Sequence, residues 1–301
     1  MPDERQDAAP PKDRRPDDDA ADMGDMETLS VDAVAEAAQA LLGGPDTAPA
    51  HLDALAGKAA PGDAEPLVTI DGLRAGYGRM PVLHGLNLRV GQGQSLCLIG
   101  PNGAGKSTVL HAIYGFTSIF GGSIHLGGAD ITRLAPKDKL RRAGVAYITQ
   151  DNSVFPDMTV EENLWMGGFL LSKAAAHDAA ERVLDKYPRL AQRRGERARV
   201  LSGGERRLLE ISRALIMDPA VLLVDEPSIG LEPRFIDQVF EILSDLQHRD
   251  GKTILMVEQN AKKGLEFADI GYVLVSGQLA KAGPGSDLLQ DEEVGRLFLG
   301  G

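Results

Sequence analysis

From Leu67 onward, short apolar runs alternate with longer stretches of helical periodicity. The short runs, "LVTI", "LNLRV", "QSLCLIG", "VAYIT", "VLLVDE", "TILMVE" and "GYVLV", are rich in β-branched residues and read as strands. Strand and helix signals in alternation predict an α/β layer structure with a largely parallel central sheet. Between Gln150 and Leu201 the pattern is helical alone. Thr159 and Glu162 in "TVEENLWMGG" make a capping box, and "SKAAAHDAAERVLDKYP" reads as helix until Pro188. No repeat of about 20–50 residues interrupts this order.

Ahead of Leu67 the periodicity fades. Residues 1–65 are rich in Ala, Asp and Pro and lack aromatics, so burial cannot offset the entropy of ordering them. They are expected to be an acidic, mostly disordered extension, with residues 66–301 as the folded domain. One stretch, "SVDAVAEAAQALLGG", departs from this: Ser30 can cap a helix, Val31, Val34, Ala38, Leu41 and Leu42 share a face, and Gly43 can end it. It reads either as a docking helix or as a marginal helix in a solvated linker, and composition favours the linker.

Charge sharpens the division. Residues 1–65 carry 16 Asp and Glu against 5 Lys and Arg, out of 44 and 32 in the 301-residue chain, so nearly all of the net charge of −12 lies in the extension. The remainder is close to neutral and offers no electrostatic footprint for nucleic acid. No apolar run approaches the ~18 residues that span a bilayer. The opening "MPDERQDAAPPKDRRPDDD" has no apolar core of a secretory signal. Cys97, the single cysteine, has no partner for an internal disulfide, and a reduced, cytoplasmic setting is expected.

The candidate chemistry is phosphate chemistry. In "SLCLIGPNGAGKSTVLHAIYG" a buried strand, a glycine-rich loop and a helix follow one another, and Gly100–Ser107 match G-x-x-x-x-G-K-[ST] in full. Gly103 and Gly105 let backbone N–H groups turn around a phosphate, and the helix N-terminus adds a favourable dipole. Lys106 would reach the β/γ-phosphates and the Ser107 hydroxyl would take a place on Mg²⁺. In "AVLLVDEPSIG" the buried run Val221–Val224 ends in Asp225 and Glu226, carboxylates that are costly there unless a cation or a reaction uses them. Asp225 suits the metal, and Glu226 suits a base acting on the attacking water.

A second grip lies at "LSGGERRLLE". Ser202 and Glu205 make a capping box, but Gly203 and Gly204 lower helix stability unless something approaches the backbone closely. With Ser202 they would form a small anion site. Two separate phosphate grips in one chain suggest two copies of the fold paired head to tail around the nucleotide.

These motifs together resemble the ATP-binding subunits of ABC transporters, over about Leu67 to the C-terminus. "GPNGAGKST" is similar to Walker A, Gln150 in "YITQD" to the Q-loop glutamine, "LSGGE" to the signature motif, "VLLVDEP" to Walker B and "SIGLEP" to the D-loop; Tyr77 in "AGYGRM" resembles the aromatic that stacks on adenine. The resemblance implies a P-loop NTPase fold with a mainly parallel core sheet, an antiparallel β subdomain and a helical subdomain at about 151–215. It implies ATP and Mg²⁺ as ligands. Expected nucleotide contacts are Tyr77, Gly100, Asn102, Gly103, Ala104, Gly105, Lys106, Ser107, Thr108, Ser202, Gly203, Gly204 and Glu205. Expected metal-facing residues are Ser107, Gln150 and Asp225, and expected catalytic ones are Glu226, Gln259 and Gln150.

"MVEQNAKKGLEFADIGYVL" and the ending "EEVGRLFLGG" resemble more narrowly the LivF-type ATPases of branched-chain amino acid importers, in which glutamine, here Gln259, replaces the usual switch-loop histidine. The implied partners are a second ABC ATPase subunit, integral-membrane permeases and, indirectly, an external solute-binding protein, at the cytoplasmic face of the membrane. Phe155, Met158, Leu164 and Trp165 are candidates for the permease contact or for core packing of the helical subdomain. His177, Arg193 and Arg194 are expected on a solvated helix face. An ATPase of a urea or amide importer and a soluble, non-transport ABC ATPase are the alternatives; a regulatory module acting through the acidic head is a third.

Overall fold

The computed structural model describes residues 42, 44–57, 66–150 and 153–299. The candidate helix at residues 30–43 lies outside them, apart from Leu42. In chain order come α1 (Pro49–Gly57), β1 (Val68–Tyr77), β2 (Met80–Val90), β3 (Ser95–Ile99), α2 (Lys106–Tyr114), β4 (Ser118–Leu126), β5 (Ala129–Asp130), α3 (Pro136–Arg141) and β6 (Val145–Ile148). Then follow α4 (Val160–Gly167), α5 (Lys173–Lys186), α6 (Pro188–Gln192), α7 (Gly203–Leu215), β7 (Val221–Asp225), α8 (Pro233–His248), β8 (Thr253–Val257), α9 (Ala261–Phe267), β9 (Ile270–Val275) and β10 (Gln278–Pro284). Two short helices, Gly285–Gln290 and Glu292–Val294, and a last helical turn, Gly295–Leu299, follow.

Two sheets form. The larger runs β10-β9-β3-β8-β7-β6, parallel from β9 to β6 with antiparallel β10 at its edge. The smaller, β2-β1-β4-β5, is antiparallel. Both, with the helical segment between β6 and β7, agree with the expected P-loop architecture. β3, β7 and β8 are buried at every position, as strands covered on both faces must be. Alternation along them divides the core: Leu96, Leu98, Val221 and Leu223 pack with α2 and the smaller sheet, whereas Cys97, Ile99, Leu222 and Val224 pack towards α8 and α9. Helices α4–α7 enclose a third cluster around Leu164, Leu184, Leu190 and Leu209. Among the described residues no helix is long and apolar enough to cross a membrane.

The structure corrects the boundary drawn at residue 65. Helix α1 lies inside the acidic extension, yet Leu52 and Leu55 are buried in the same cluster as Val68, Leu88 and Val90. Gln94 Nε2 donates to Leu55 O at 3.0 Å, and Arg89 Nε donates to Asp53 Oδ1 at 2.8 Å. Composition averaged over 65 residues hid a nine-residue segment, "PAHLDALAG", that carries enough leucine to dock.

Candidate functional site

The phosphate loop joins β3 to α2. Gly105 caps α2 in the left-handed region, at φ 95°, which lets the chain turn sharply from loop into helix. Lys106 is buried; its Nζ donates to Gly100 O at 2.8 Å and Pro101 O at 3.0 Å, so the ammonium is held by carbonyls of its own loop. Burial lowers its pKa, and the Glu226 and Asp225 carboxylates oppose that shift. Tyr77, at the end of β1, is 43% exposed, and its hydroxyl lies 3.5 Å from Thr108 Oγ1 and 2.5 Å from His111 Nδ1. The structure thus brings the expected adenine platform to the first turn of α2.

Opposite the loop, β7 delivers Asp225 and Glu226. Ser107 Oγ donates to Asp225 Oδ1 at 3.0 Å. Tyr147 Oη donates to the other carboxylate oxygen at 2.7 Å, and burial and that bond push its phenol pKa upward. Tyr147 was not among the sequence candidates. Alternation in the adjacent parallel strands places Val145 and Tyr147 on the same face as Val221, Leu223 and Asp225. A hydroxyl in an otherwise apolar strand was the available signal.

Glu226 is buried at φ 45°, a strained backbone for a residue other than glycine, and its N–H donates to Val257 O at 2.8 Å. Gln259 Nε2 donates to Glu226 Oε2 at 2.9 Å, so two of the three expected catalytic residues meet. Beside them Glu258 is buried and missing from the sequence candidates. Its carboxylate accepts from Ser228 Oγ, from Ser228 N at 3.4 Å and from Asn260 N at 3.1 Å, tying the D-loop to the segment carrying Gln259. Burial raises its pKa. Gln150 follows β6 and lines a cavity of about 210 Å³ together with Glu226, Gly203, Arg206 and Arg207.

Ser202 caps α7 as expected: its Oγ accepts from Glu205 N at 3.3 Å, and Glu205 Oε2 accepts from Ser202 N at 2.9 Å. The two glycines part company. A Cβ on Gly204 would stand 2.5 Å from Phe235 Cδ1 in α8, so packing inside the subunit already requires glycine there. At Gly203 the nearest atom would be Leu231 Cδ2 at 3.7 Å, an ordinary contact. The close approach of a ligand is therefore needed to explain only the first glycine.

The helical segment sorts the remaining candidates. Leu164 is core, whereas Phe155 and Trp165 are exposed, beside exposed Met166 and Phe169. His177, Arg193 and Arg194 keep side chains 53%, 44% and 38% exposed, the solvated face expected of them, and on that face Arg194 bonds to both Glu161 of α4 and Glu181 of α5, with His177 Nε2 3.6 Å from Glu181. Glu161, His177 and Glu181 have the spacing of a metal site, but the guanidinium already rests on both carboxylates.

This fold and these motifs recur in known proteins. The model of the ABC transporter family matches residues 83–229. The high-affinity branched-chain amino acid transport ATP-binding protein BraG of Pseudomonas aeruginosa is 40% identical over 235 residues, covering 78% of this chain and 100% of BraG. A probable branched-chain amino acid transport ATP-binding protein, LivF of Archaeoglobus fulgidus, is 36% identical over 76% of this chain and 96% of its own length. The ADP conformation of MJ1267, an ATP-binding cassette of an ABC transporter, superposes with a TM-score of 0.70 at 27% identity, covering 79% of this chain and 100% of the cassette. With its phosphate loop, paired carboxylates and signature helix in one frame, the chain belongs to the ABC transporter ATP-binding proteins and is an ATP-hydrolysing subunit of that family.

Proposed function

We propose that the chain is the energy-coupling subunit of an importer for branched-chain or other hydrophobic amino acids. The 40% identity across the full length of a branched-chain amino acid transport protein carries this reading. Gln259 beside Glu226, in the place where the wider family has histidine, supports it.

In this reading ATP lies along Gly100–Thr108 with its adenine on Tyr77. Lys106 exchanges its two loop carbonyls for the β/γ-phosphates, which a cation in a partly dry site holds strongly. Ser107 Oγ and Asp225 Oδ1, 3.0 Å apart, are hard oxygen donors of the kind Mg²⁺ takes, and Gln150, which shares a cavity with Glu226, would supply a further oxygen. When bound, Mg²⁺ neutralises charge on the β- and γ-phosphates. Tyr147 keeps the Asp225 carboxylate from rotating. Glu226 accepts the proton of the attacking water, while the Gln259 amide orients that carboxylate and cannot itself carry the proton. Ser202 and Gly203 grip the γ-phosphate held by a second ATPase subunit, paired head to tail. Phe155, Trp165 and Phe169 form the apolar surface on which permease subunits rest, at the cytoplasmic face of the membrane, with a solute-binding protein acting from outside.

Reconstitution tests the reading. The tagged chain is purified with its membrane partners, placed in proteoliposomes with ATP on the ATPase side, and assayed with labelled leucine and urea. ATP-dependent leucine uptake is expected. Urea uptake without leucine uptake overturns the substrate class, and co-purification with no membrane protein overturns the transport role.

A further inference from the structure

The first turns of α7 hold a buried ion pair that the chemistry above does not use. Arg207 Nη1 stands 2.7 Å from Glu210 Oε2, with side chains only 6% and 3% exposed. Each partner also reaches out of the helix. Arg207 Nη1 donates to Thr149 O at 3.0 Å, and Glu210 Oε1 accepts from Ser153 N at 2.9 Å. Thr149 immediately precedes Gln150, and Ser153 follows it by three residues. The pair therefore straddles the Q-loop and grips it by backbone groups on both sides. One turn further on, Arg213 donates to Ser153 O and lies over the Phe155 ring at 5.4 Å.

Stability is a poor explanation for this pair. Desolvating two charges costs several kcal/mol each, and apolar residues of similar volume commonly serve a core as well or better. Arg207 even leaves Nε and Nη2 buried without a hydrogen-bond partner among the described residues. What an apolar pair cannot supply is direction: a donor fixed on the carbonyl before Gln150 and an acceptor fixed on the amide after it. Both belong to the helix whose N-terminus carries Ser202 and Gly203.

We propose that Arg207 and Glu210 are positioning residues that lock the Q-loop to the signature helix, so that Gln150 at a subunit's own nucleotide takes its place only when that subunit's α7 is placed to serve the partner's. The two sites of a head-to-tail pair are then coupled through one ion pair in each subunit. The inference rests on the role given above to Gln150.

The discriminating variant is the double substitution Arg207→Met with Glu210→Leu, which removes both charges and keeps an apolar fill. It should fold with an unchanged or higher Tm, and the full-length chain should bind ATP within about twofold of wild type, since the phosphate loop is untouched. Amide exchange at Ser153 should be about tenfold to a hundredfold faster, the worth of a hydrogen bond to a charged acceptor. In the complex purified with its membrane partners, kcat should fall at least about tenfold with KM little changed, the signature of a lost transition-state arrangement. A folded double variant with wild-type Ser153 exchange and wild-type kcat overturns the proposal. Gln150→Ala separates the two readings: wild-type turnover there refutes the role of Gln150, while Ser153 exchange still reports whether the ion pair holds the loop. Should the double variant not fold, Glu210→Gln read by the same exchange measurement decides the matter.

Discussion

Replacing Leu52 with alanine tests the least anticipated feature of the molecule, the docking of α1. Leu52 is fully buried, and Leu55 and Ala56 beside it are 4% and 2% exposed. Truncating a leucine in such a site removes its transfer free energy and leaves a cavity, together about 2–5 kcal/mol. The surroundings give little room for collapse, because α1 is pinned at three other places: Asp53 on Arg89, Leu55 O on Gln94 Nε2, and His51 Nε2 3.1 Å from Ala282 O. In a folded unit of this size 1 kcal/mol shifts Tm by about 2–4 °C, so a fall of roughly 4–20 °C is expected. Urea unfolding followed by circular dichroism gives the free energy, and calorimetry with ATP should show affinity within about twofold, since α1 holds no part of the phosphate loop. A Leu52→Ala loss of under about 0.5 kcal/mol would refute the reasoning, since a docked helix cannot lose its central leucine for so little.

Glu226→Gln should keep ATP binding but slow hydrolysis about 10²–10⁴-fold, the usual worth of a positioned base; wild-type turnover in a steady-state assay would remove Glu226 from that role. Gly204→Ala should cost about 1–3 kcal/mol by forcing its methyl against Phe235, and Phe235→Ala in the same chain should recover part of that; Gly203→Ala should be near neutral in urea unfolding. Lys139 is fully buried, with Nζ donating to Ala112 O and Ile113 O at the end of α2, and burial lowers its pKa to about 8. Between about pH 8 and 10.5 the unfolded chain keeps a proton that the folded chain has lost, so this group makes stability rise with pH by up to ~1.4 kcal/mol per unit; below about 8 both states are protonated and its burial cost is fully present. The difference in unfolding free energy between wild type and Lys139→Met, followed over that range, should show this slope, and a flat difference would refute it.

Much of the candidate nucleotide site was legible because its parts are local. A glycine-rich loop between a strand and a helix, a capping box four residues wide, and carboxylates ending an apolar run are each set by neighbours along the chain, and Gly100–Ser107, Ser202–Glu205 and Asp225–Glu226 stood out for that reason. Strand β4, "SIFGGSIHL", was not legible: its glycines and polar residues have no strand signature, and pairing with β1 makes it a strand. Helix α1 was hidden by its acidic surroundings, since docking depends on a hydrophobic face that lies far away in sequence. Tyr147 on Asp225, Glu258 on Ser228, Phe235 against Gly204 and the Arg207–Glu210 grip on the Q-loop join residues from different elements. The residue types along this chain determine which groups are candidates to bind phosphate and which strands are buried; only the packing of one element on another decides which groups hold those residues in place, because register, twist and helix docking, not sequence distance, bring side chains within hydrogen-bond reach.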